Sequence, residues 1–319
     1  MARDPSGSTV MVMSQYDVAI IGGGAAGLSA ALVLSRARRR IAVIDAGKPR
    51  NAPATHMYGY LSRDGLPPRE LLRQGREEVR RYGGEILDGT VTGLASDGRG
   101  GFAVSLADGQ PISARRLLIT SGLRDELPDL PGLNERWARD VLHCPYCHGH
   151  EVRDRRLGVI GGTAGSVRYA QIVRQWTDDL IYFTGPGTLT PVERTELTAR
   201  GIGIVEGAID RLVIADDQLR GVQLHDGCVV ARDALFVPPR FVPNNRLLTG
   251  LGCDVDGGGW VTVDATGGTS VAGVWAAGNV VDPRAQVITA AGAGSAAAIA
   301  LNADLVDEDV RTAVQRHQP

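Results

Sequence analysis

The sequence predicts an α/β fold with two Rossmann-like nucleotide-binding units, and three observations carry that prediction. An apolar strand at 17–21 runs directly into glycines at 22, 24 and 27 and then into a helix ending near Ser35. The same order returns at 157–160, with Gly161, Gly162 and Gly165 before a second helix and a strand at 180–183. Parallel strands joined by helices give this alternation, and the glycines sit at the tight strand-to-helix turn. The 319-residue length favours two domains, since single cores stop growing at roughly 250–300 residues.

The remaining elements follow in order. Residues 1–14 are small and polar without apolar periodicity and are expected to form a mobile extension. The run 41–44 is the next parallel strand, and 66–82 has the spacing of an amphipathic helix. Short alternating strands are expected over 85–119, punctuated by Asp97-Gly98 and Asp108-Gly109, and are read as a small extra sheet. Comparable strands follow the second unit, with turns at Asp216-Asp217 and Asp226-Gly227. The alanine-rich stretch 295–305 predicts a closing helix.

Composition excludes several function classes. The net charge of -2 and aromatic content of 5% supply neither an electrostatic footprint nor a stacking platform for nucleic acid. The basic run Arg36, Arg38, Arg39 and Arg40 falls where the first helix ends and cations complement its dipole. No uninterrupted apolar stretch of membrane length is legible, residues 1–14 lack the pattern of a signal peptide, and no membrane partner is expected. Four cysteines are too few for a disulfide scaffold and fit a reducing, cytoplasmic setting. Cys228 and Cys253 read as lone thiols.

The chemistry concentrates between the two units. Cys144 and Cys147 are two residues apart, followed by His148, His150 and Glu151. Thiols so spaced close a short disulfide and often have depressed pKa values, which points to redox work. His148 is the general acid/base candidate, because imidazole cycles near neutral pH; His143 and His150 either assist or flank the loop. The pattern also matches c-type haem attachment and half a zinc site, but no export signal and no second ligand pair accompany it, and no metal is expected. In the first unit Gly22, Gly24, Ala26 and Gly27 offer backbone amides and a helix N-terminus to a pyrophosphate, with Asp45 placed for a ribose hydroxyl.

The stretches 117–122, ending at Gly122, and 273–279, ending at Gly278 and Asn279, resemble two further segments of FAD-dependent pyridine-nucleotide disulfide reductases. With the dithiol included, residues 16–305 resemble the low-molecular-weight thioredoxin reductases. The resemblance implies FAD in the first unit and the three-layer ββα form of both nucleotide-binding domains. It also implies that the second domain is inserted in the first: 15–122 and 244–319 hold FAD, and 123–243 carries the dithiol. A hinge is expected near 122 and 243. The family usually has aspartate where Asn279 stands, so a charge is lost and hydrogen bonding is kept. Gln286 and Val287, at the start of the last helix, become candidate contacts to the flavin ring, with a plain helix-start role as the alternative for Gln286. Cys147 is implied to meet the flavin and Cys144 to exchange with substrate. Where the family usually has an acid after the second cysteine, this chain has His148.

Two departures redirect the function. Thr163 stands at the second fingerprint glycine of the downstream loop, and the next strand ends in Phe183, Thr184, Gly185 and Pro186 without an arginine for a 2′-phosphate. Arg168, Arg174 and Arg194 are the remaining sources of charge. Together with the dithiol segment, these departures resemble the thioredoxin reductase-like dithiol oxidases of gliotoxin- and holomycin-type disulfide biosynthesis. That implies a small dithiol substrate attacking Cys144, electrons passing through Cys147 to FAD, and O2 as acceptor giving H2O2. The alternative is an NAD(P)H-dependent disulfide reductase acting on a thioredoxin-like protein or small thiol; a redox sensor is the non-enzyme reading. His56, Tyr58 and Tyr60 resemble a flavin-proximal loop and are candidate substrate-pocket residues, and a homodimer is implied.

Overall fold

Val18, Ala19, Ile20 and Ile21 are all buried because their strand lies inside a sheet covered on both faces. The computed structural model describes residues 15–98 and 100–317, so the expected extension 1–14 lies outside the described residues. The chain opens with β1 (Gln15–Ile21), α1 (Ala25–Arg36), β2 (Ile41–Asp45) and α2 (Pro68–Arg81). Next come β3 (Glu85–Asp88), β4 (Val91–Ser96), β5 (Phe102–Leu106) and β6 (Ile112–Ile119). After β7 (Leu123–Glu126) follow α3 (Leu133–Arg136), β8 (Val141–Leu142), α4 (Pro145–His148), β9 (Leu157–Ile160), α5 (Ser166–Val173) and β10 (Leu180–Phe183). The run continues through α6 (Pro191–Ala199), β11 (Gly203–Val205), β12 (Ile209–Ala215), β13 (Gln218–Leu224), β14 (Val229–Ala231) and β15 (Ala234–Phe236). It closes with β16 (Arg240–Pro243), α7 (Arg246–Gly250), β17 (Val274–Ala276) and α8 (Val287–His317).

These elements form two units. One gathers the chain up to Ala52, Arg69–Arg124 and Pro243 onward; the other gathers Pro53–Pro68 and Asp125–Val242. The block expected at 15–122 thus differs at one place, because 53–68 groups with the second unit. Of the four crossings, the last two run as β7 and β16, which pair with each other.

The first unit is built on one seven-stranded sheet ordered β3-β2-β1-β6-β5-β4, with β17 also on β6. The expectation of a small extra sheet at 85–119 is corrected here. β3 joins β2 in parallel, and β6 is long enough to serve twice: 112–114 pair antiparallel with β5, while 117–119 pair parallel with β17. Alternation along β1 divides the core. Val18 and Ile20 meet Leu34, Leu118, Leu301 and Leu305 on the helical face, and Ala19 and Ile21 meet Phe102, Leu248 and Val261 on the other.

The second unit has a five-stranded parallel sheet, β11-β10-β9-β15-β8, beside an antiparallel β12-β13-β14 sheet. Asp216 and Asp217 both take positive φ, the backbone a two-residue hairpin turn demands.

The basic run at 36–40 is spent within the fold. Arg36 covers the Tyr82 ring and Arg40 the Tyr16 ring, and Arg39 binds Asn302 at 2.7 Å and Asp309 at 2.8 Å. Arg116, almost wholly buried, pairs with Asp304 at 2.5 Å and Glu308 at 2.7 Å, so four groups of α8 are tied to the sheet and to the turn after α1.

That helix runs over 31 residues, much longer than the expected 295–305. By length and composition it could cross a membrane, against the sequence reading; in the fold one of its faces, Ala290, Ala291, Gly294, Ala297, Ala298, Leu301 and Leu305, is buried. Alanine and glycine let α8 approach α1 closely. A Cβ at Gly294 would lie 2.0 Å from the Ala26 carbonyl oxygen, and one at Gly278 would lie 3.0 Å from the Ala26 Cβ. Gly294→Ala should therefore destabilise the protein by about 1–3 kcal/mol. Chemical denaturation followed by far-UV circular dichroism reads this as an earlier midpoint; an unchanged midpoint would contradict the packing.

Candidate active site

In the first unit the strand-to-helix turn is shaped by what its glycines exclude. At Gly22, with φ of 111°, a Cβ would lie 2.5 Å from the Thr120 carbonyl oxygen, and at Gly27 one would lie 1.9 Å from that of Gly22. Thr120 locks the turn from β6, its hydroxyl donating to Ile21 O at 3.1 Å and Gly22 O at 2.8 Å. Gly24, the N-cap of α1, is different: no side chain caps the helix, and a Cβ there would meet nothing within 4 Å. An uncapped helix N-terminus facing open space fits a dinucleotide pyrophosphate.

Asp45 stands over the same turn, since a Cβ at Gly23 would lie 2.6 Å from its carboxylate. It accepts from Gly47 N at 3.2 Å and pairs with Arg76, which also reaches Asp88 at 2.9 Å. Both carboxylates hold the Arg76 guanidinium above its ordinary pKa, with Asp88 contributing most. Two oxygens provide about four acceptor sites, so Asp45 retains capacity for a ribose hydroxyl. Ala26 is buried with Ala285 and Ala290, as a spacer between the turn and α8.

Gly122 adopts φ of 70°, and its carbonyl accepts from Asn244 N at 3.0 Å. Gly278 adopts φ of 77° and opens the turn before α8. The amide of Asn279 donates to the carbonyls of Asp282 at 2.9 Å and Ala285 at 3.0 Å. An aspartate could not make these two bonds, so Asn279 shapes the turn that presents half-buried Gln286 and Val287 at the start of α8.

In the second unit Cys144 and Cys147 form a disulfide across the short α4. Cys144 is the N-cap: its Sγ accepts from Cys147 N at 3.1 Å, and Pro145 takes the position where an amide hydrogen is dispensable. Gly149 ends the segment under the Trp176 indole, where a Cβ would lie 2.7 Å from the ring. Tyr146, 63% exposed, stands edge-on to the same ring at 5.7 Å. His148 is half-buried; burial lowers its pKa below the ordinary 6.5, and Glu151, one turn on, partly opposes this. His143 packs edge-on to Phe241 at 5.1 Å, with its carbonyl accepting from Tyr169 Oη. His150 is exposed.

The segment 53–68 belongs to this same unit and brings Tyr58 to His148, with ring centroids 6.4 Å apart and nearly perpendicular. His56 is 6.3 Å from Tyr58 and exposed; Tyr60 lies at the turn closed by Arg63 N donating to its carbonyl at 2.8 Å.

The second glycine loop is open to solvent at Gly162, Thr163, Ala164 and Gly165, with the chain after β10 turning beside Gly162. Gly187 folds back so that a Cβ on it would lie 3.3 Å from Gly162 Cα, and Pro186 Cδ is 3.8 Å from the Cβ position of Gly162. Ser166 shares a 2.8 Å hydrogen bond with Tyr182 Oη and donates to Thr163 O at 2.7 Å. Arg174 is committed to Asp178 at 2.6 Å and to the carbonyls of Thr177 and Arg200, and Arg194 pairs with Glu206. Arg168 shares a surface groove with Glu193, Glu196 and Arg200.

A dinucleotide cradle and a disulfide followed by histidine coincide with a family match: the model of pyridine nucleotide-disulphide oxidoreductases covers residues 16–295. The chain belongs to this family. It lies among the thioredoxin reductase-like flavoproteins and is a flavin-dependent thiol/disulfide oxidoreductase that binds FAD. It is 32% identical over 316 residues to the thioredoxin reductase sirT of Leptosphaeria maculans, covering 93% of this chain and 96% of that protein. The crystal structure of HlmI matches with 53% identity and a TM-score of 0.92, covering 95% of this chain and 96% of that one. An oxidoreductase from Agrobacterium tumefaciens matches at 34% identity and TM-score 0.86, covering 92% and 99%.

Arg76, Thr120 and Trp176 escaped the sequence reading. Each acts by reaching a turn distant in sequence, and only the 66–82 helix pattern hinted at the first. Because burial disfavours the imidazolium, His148 should titrate below 6.5 in the folded protein. The unfolded chain then takes up the proton first, so this site subtracts stability as pH falls below 6.5. Glu151→Gln removes the opposing charge and should lower the midpoint further; an NMR titration of the assigned imidazole in wild type and variant checks both directions.

Proposed function

We propose that the protein is an FAD-dependent dithiol oxidase that closes a disulfide in a small-molecule dithiol. The observation that carries this reading is the second glycine loop, where Thr163 puts a side chain at the second fingerprint position and β10 continues into Thr184, Gly185 and Pro186 with neither an arginine nor an acid among them. A nicotinamide dinucleotide needs that backbone for its pyrophosphate and a cation for a 2′-phosphate. The electrons then come from the substrate.

One substrate thiolate attacks Cys144 Sγ, forming a mixed disulfide and releasing Cys147 as thiolate. The second substrate thiolate attacks the substrate sulfur of that bond, giving the product disulfide and freeing Cys144. Two thiols have become one disulfide, and the enzyme dithiol holds the electron pair. His148, neutral at pH 7, accepts a proton as substrate thiol becomes thiolate. The Cys147 N–H, directed at Cys144 Sγ, stabilises negative charge there. Gly22, Gly24, Gly27 and Asp45, with Gly122, Gly278, Gln286 and Val287, would hold FAD, which when bound would supply the acceptor for the electron pair, with O2 as the final acceptor giving H2O2.

A disulfide reductase drawing on NAD(P)H is the second reading, favoured by likeness to the thioredoxin reductase sirT. Anaerobic mixing separates them. Flavin absorbance should bleach with a small dithiol and recover with O2, and remain unbleached with NADPH; rapid bleaching by NADPH would overturn the oxidase. Cys147→Ser should abolish dithiol-driven bleaching.

The reading includes a cytoplasmic location, in keeping with few cysteines, and a homodimer. The exposed stripe Ile299, Val306 and Val310 of α8, with exposed Ala296 and Ala303 at the intervening three- and four-residue steps, supports pairing with a second copy. Val306→Lys with Val310→Lys should halve the mass in sedimentation equilibrium, and an unchanged mass would reject this face.

A further inference from the structure

The loop over the redox segment is built rather than loose. Met57 N donates to Leu66 O at 3.0 Å, Gly65 N to Met57 O at 2.9 Å, and Gly59 N to the Asp64 carboxylate at 2.8 Å. Met57 is buried, and Gly65 supplies a positive φ of 78° that lets the chain return beside the Tyr58 ring. The backbone of Tyr58 is thereby held between two bonded positions, 57 and 59.

We propose that Tyr58 is a positioning residue for His148: its ring, held edge-on by the 57–66 hairpin, fixes the imidazole orientation and shields it from water. This rests on the His148 role given above and adds how the chain controls it. The rings are 6.4 Å apart at 88°, an arrangement in which the edge of one meets the face of the other. Glu151 acts on both, raising the Tyr58 pKa behind the larger effect of burial and partly offsetting the depression of His148. The charged and titratable groups around the pair are Glu151 from the turn after α4, Asp64 from the hairpin, and His56 beside Tyr58. The Tyr58 hydroxyl has no hydrogen-bond partner among the described residues, so the ring, not the oxygen, carries the contact.

The test titrates the imidazole of His148 by NMR in oxidised, FAD-loaded enzyme. Tyr58→Ala opens the ring to water and should raise the midpoint toward 6.5. Tyr58→Phe keeps the ring and should leave the midpoint in place, and Tyr58→Leu serves as a second truncation if the alanine variant misfolds. A midpoint unmoved in both truncations overturns the proposal, as does a rise in Tyr58→Phe equal to that in Tyr58→Ala. The pH profile of dithiol-driven flavin reduction separates the underlying reading. If the NMR midpoint moves in Tyr58→Ala while the profile does not, Tyr58 positions His148 as proposed but His148 is not the proton carrier.

Discussion

The first unit depends on the near-contact of two backbones at the first turn of α1. Gly27 lets that turn close on the Gly22 carbonyl, and Gly294 lets α8 approach the Ala26 carbonyl from the far end of the chain. Neither approach survives a side chain, because each would place a carbon well inside van der Waals contact. The consequence spreads outward. With α8 seated on α1, its acids meet Arg39, Arg115 and Arg116, its buried alanines complete the helical face of the sheet, and its first turn presents Gln286 and Val287 beside the same cradle.

The dithiol segment obeys a comparable rule on a smaller scale. A four-residue helix has little stability alone, so neighbours must supply it. Pro145 and the Cys144 cap start it, Gly149 stops it under Trp176, and Tyr169 holds the His143 carbonyl on the strand side. The result is a disulfide segment whose backbone is held at both ends.

Much of this was legible because local pattern and global fold agree. Strand, glycine turn and helix have short-range signatures at 17–27 and 157–165, and the dithiol announces itself by spacing. What was not legible depends on distance. Nothing local says that β6 is forked between β5 and β17, so the strands at 85–119 read as a separate sheet. The last helix was read too short because its outer half, past Leu305, alternates acids with valines; there ion pairs to Arg115 and Arg116 supply what propensity does not. Asn279 looked like a loss of charge at a cofactor contact, and only the carbonyls of Asp282 and Ala285 reveal its use as a double donor. The cofactor-side and dithiol residues were readable as candidates, whereas Arg76, Thr120 and Trp176 were not, since each completes a turn written elsewhere in the chain.

On its long excursion into the second unit the chain leaves the first after Arg124 and returns at Pro243, and residues just inside those points are hydrogen-bonded to one another: Ser121 Oγ to Asn244 O at 2.7 Å, Asn244 Nδ2 to Ser121 O at 2.9 Å, and Asn244 N to Gly122 O. Exit and entrance are therefore a single place. For the host unit, the 118 residues of Asp125–Val242 amount to a closed loop whose ends are already joined, and the entropy of bringing such ends together grows only slowly with the length between them. The second unit can therefore gain or lose material at its own surface without the first having to stretch.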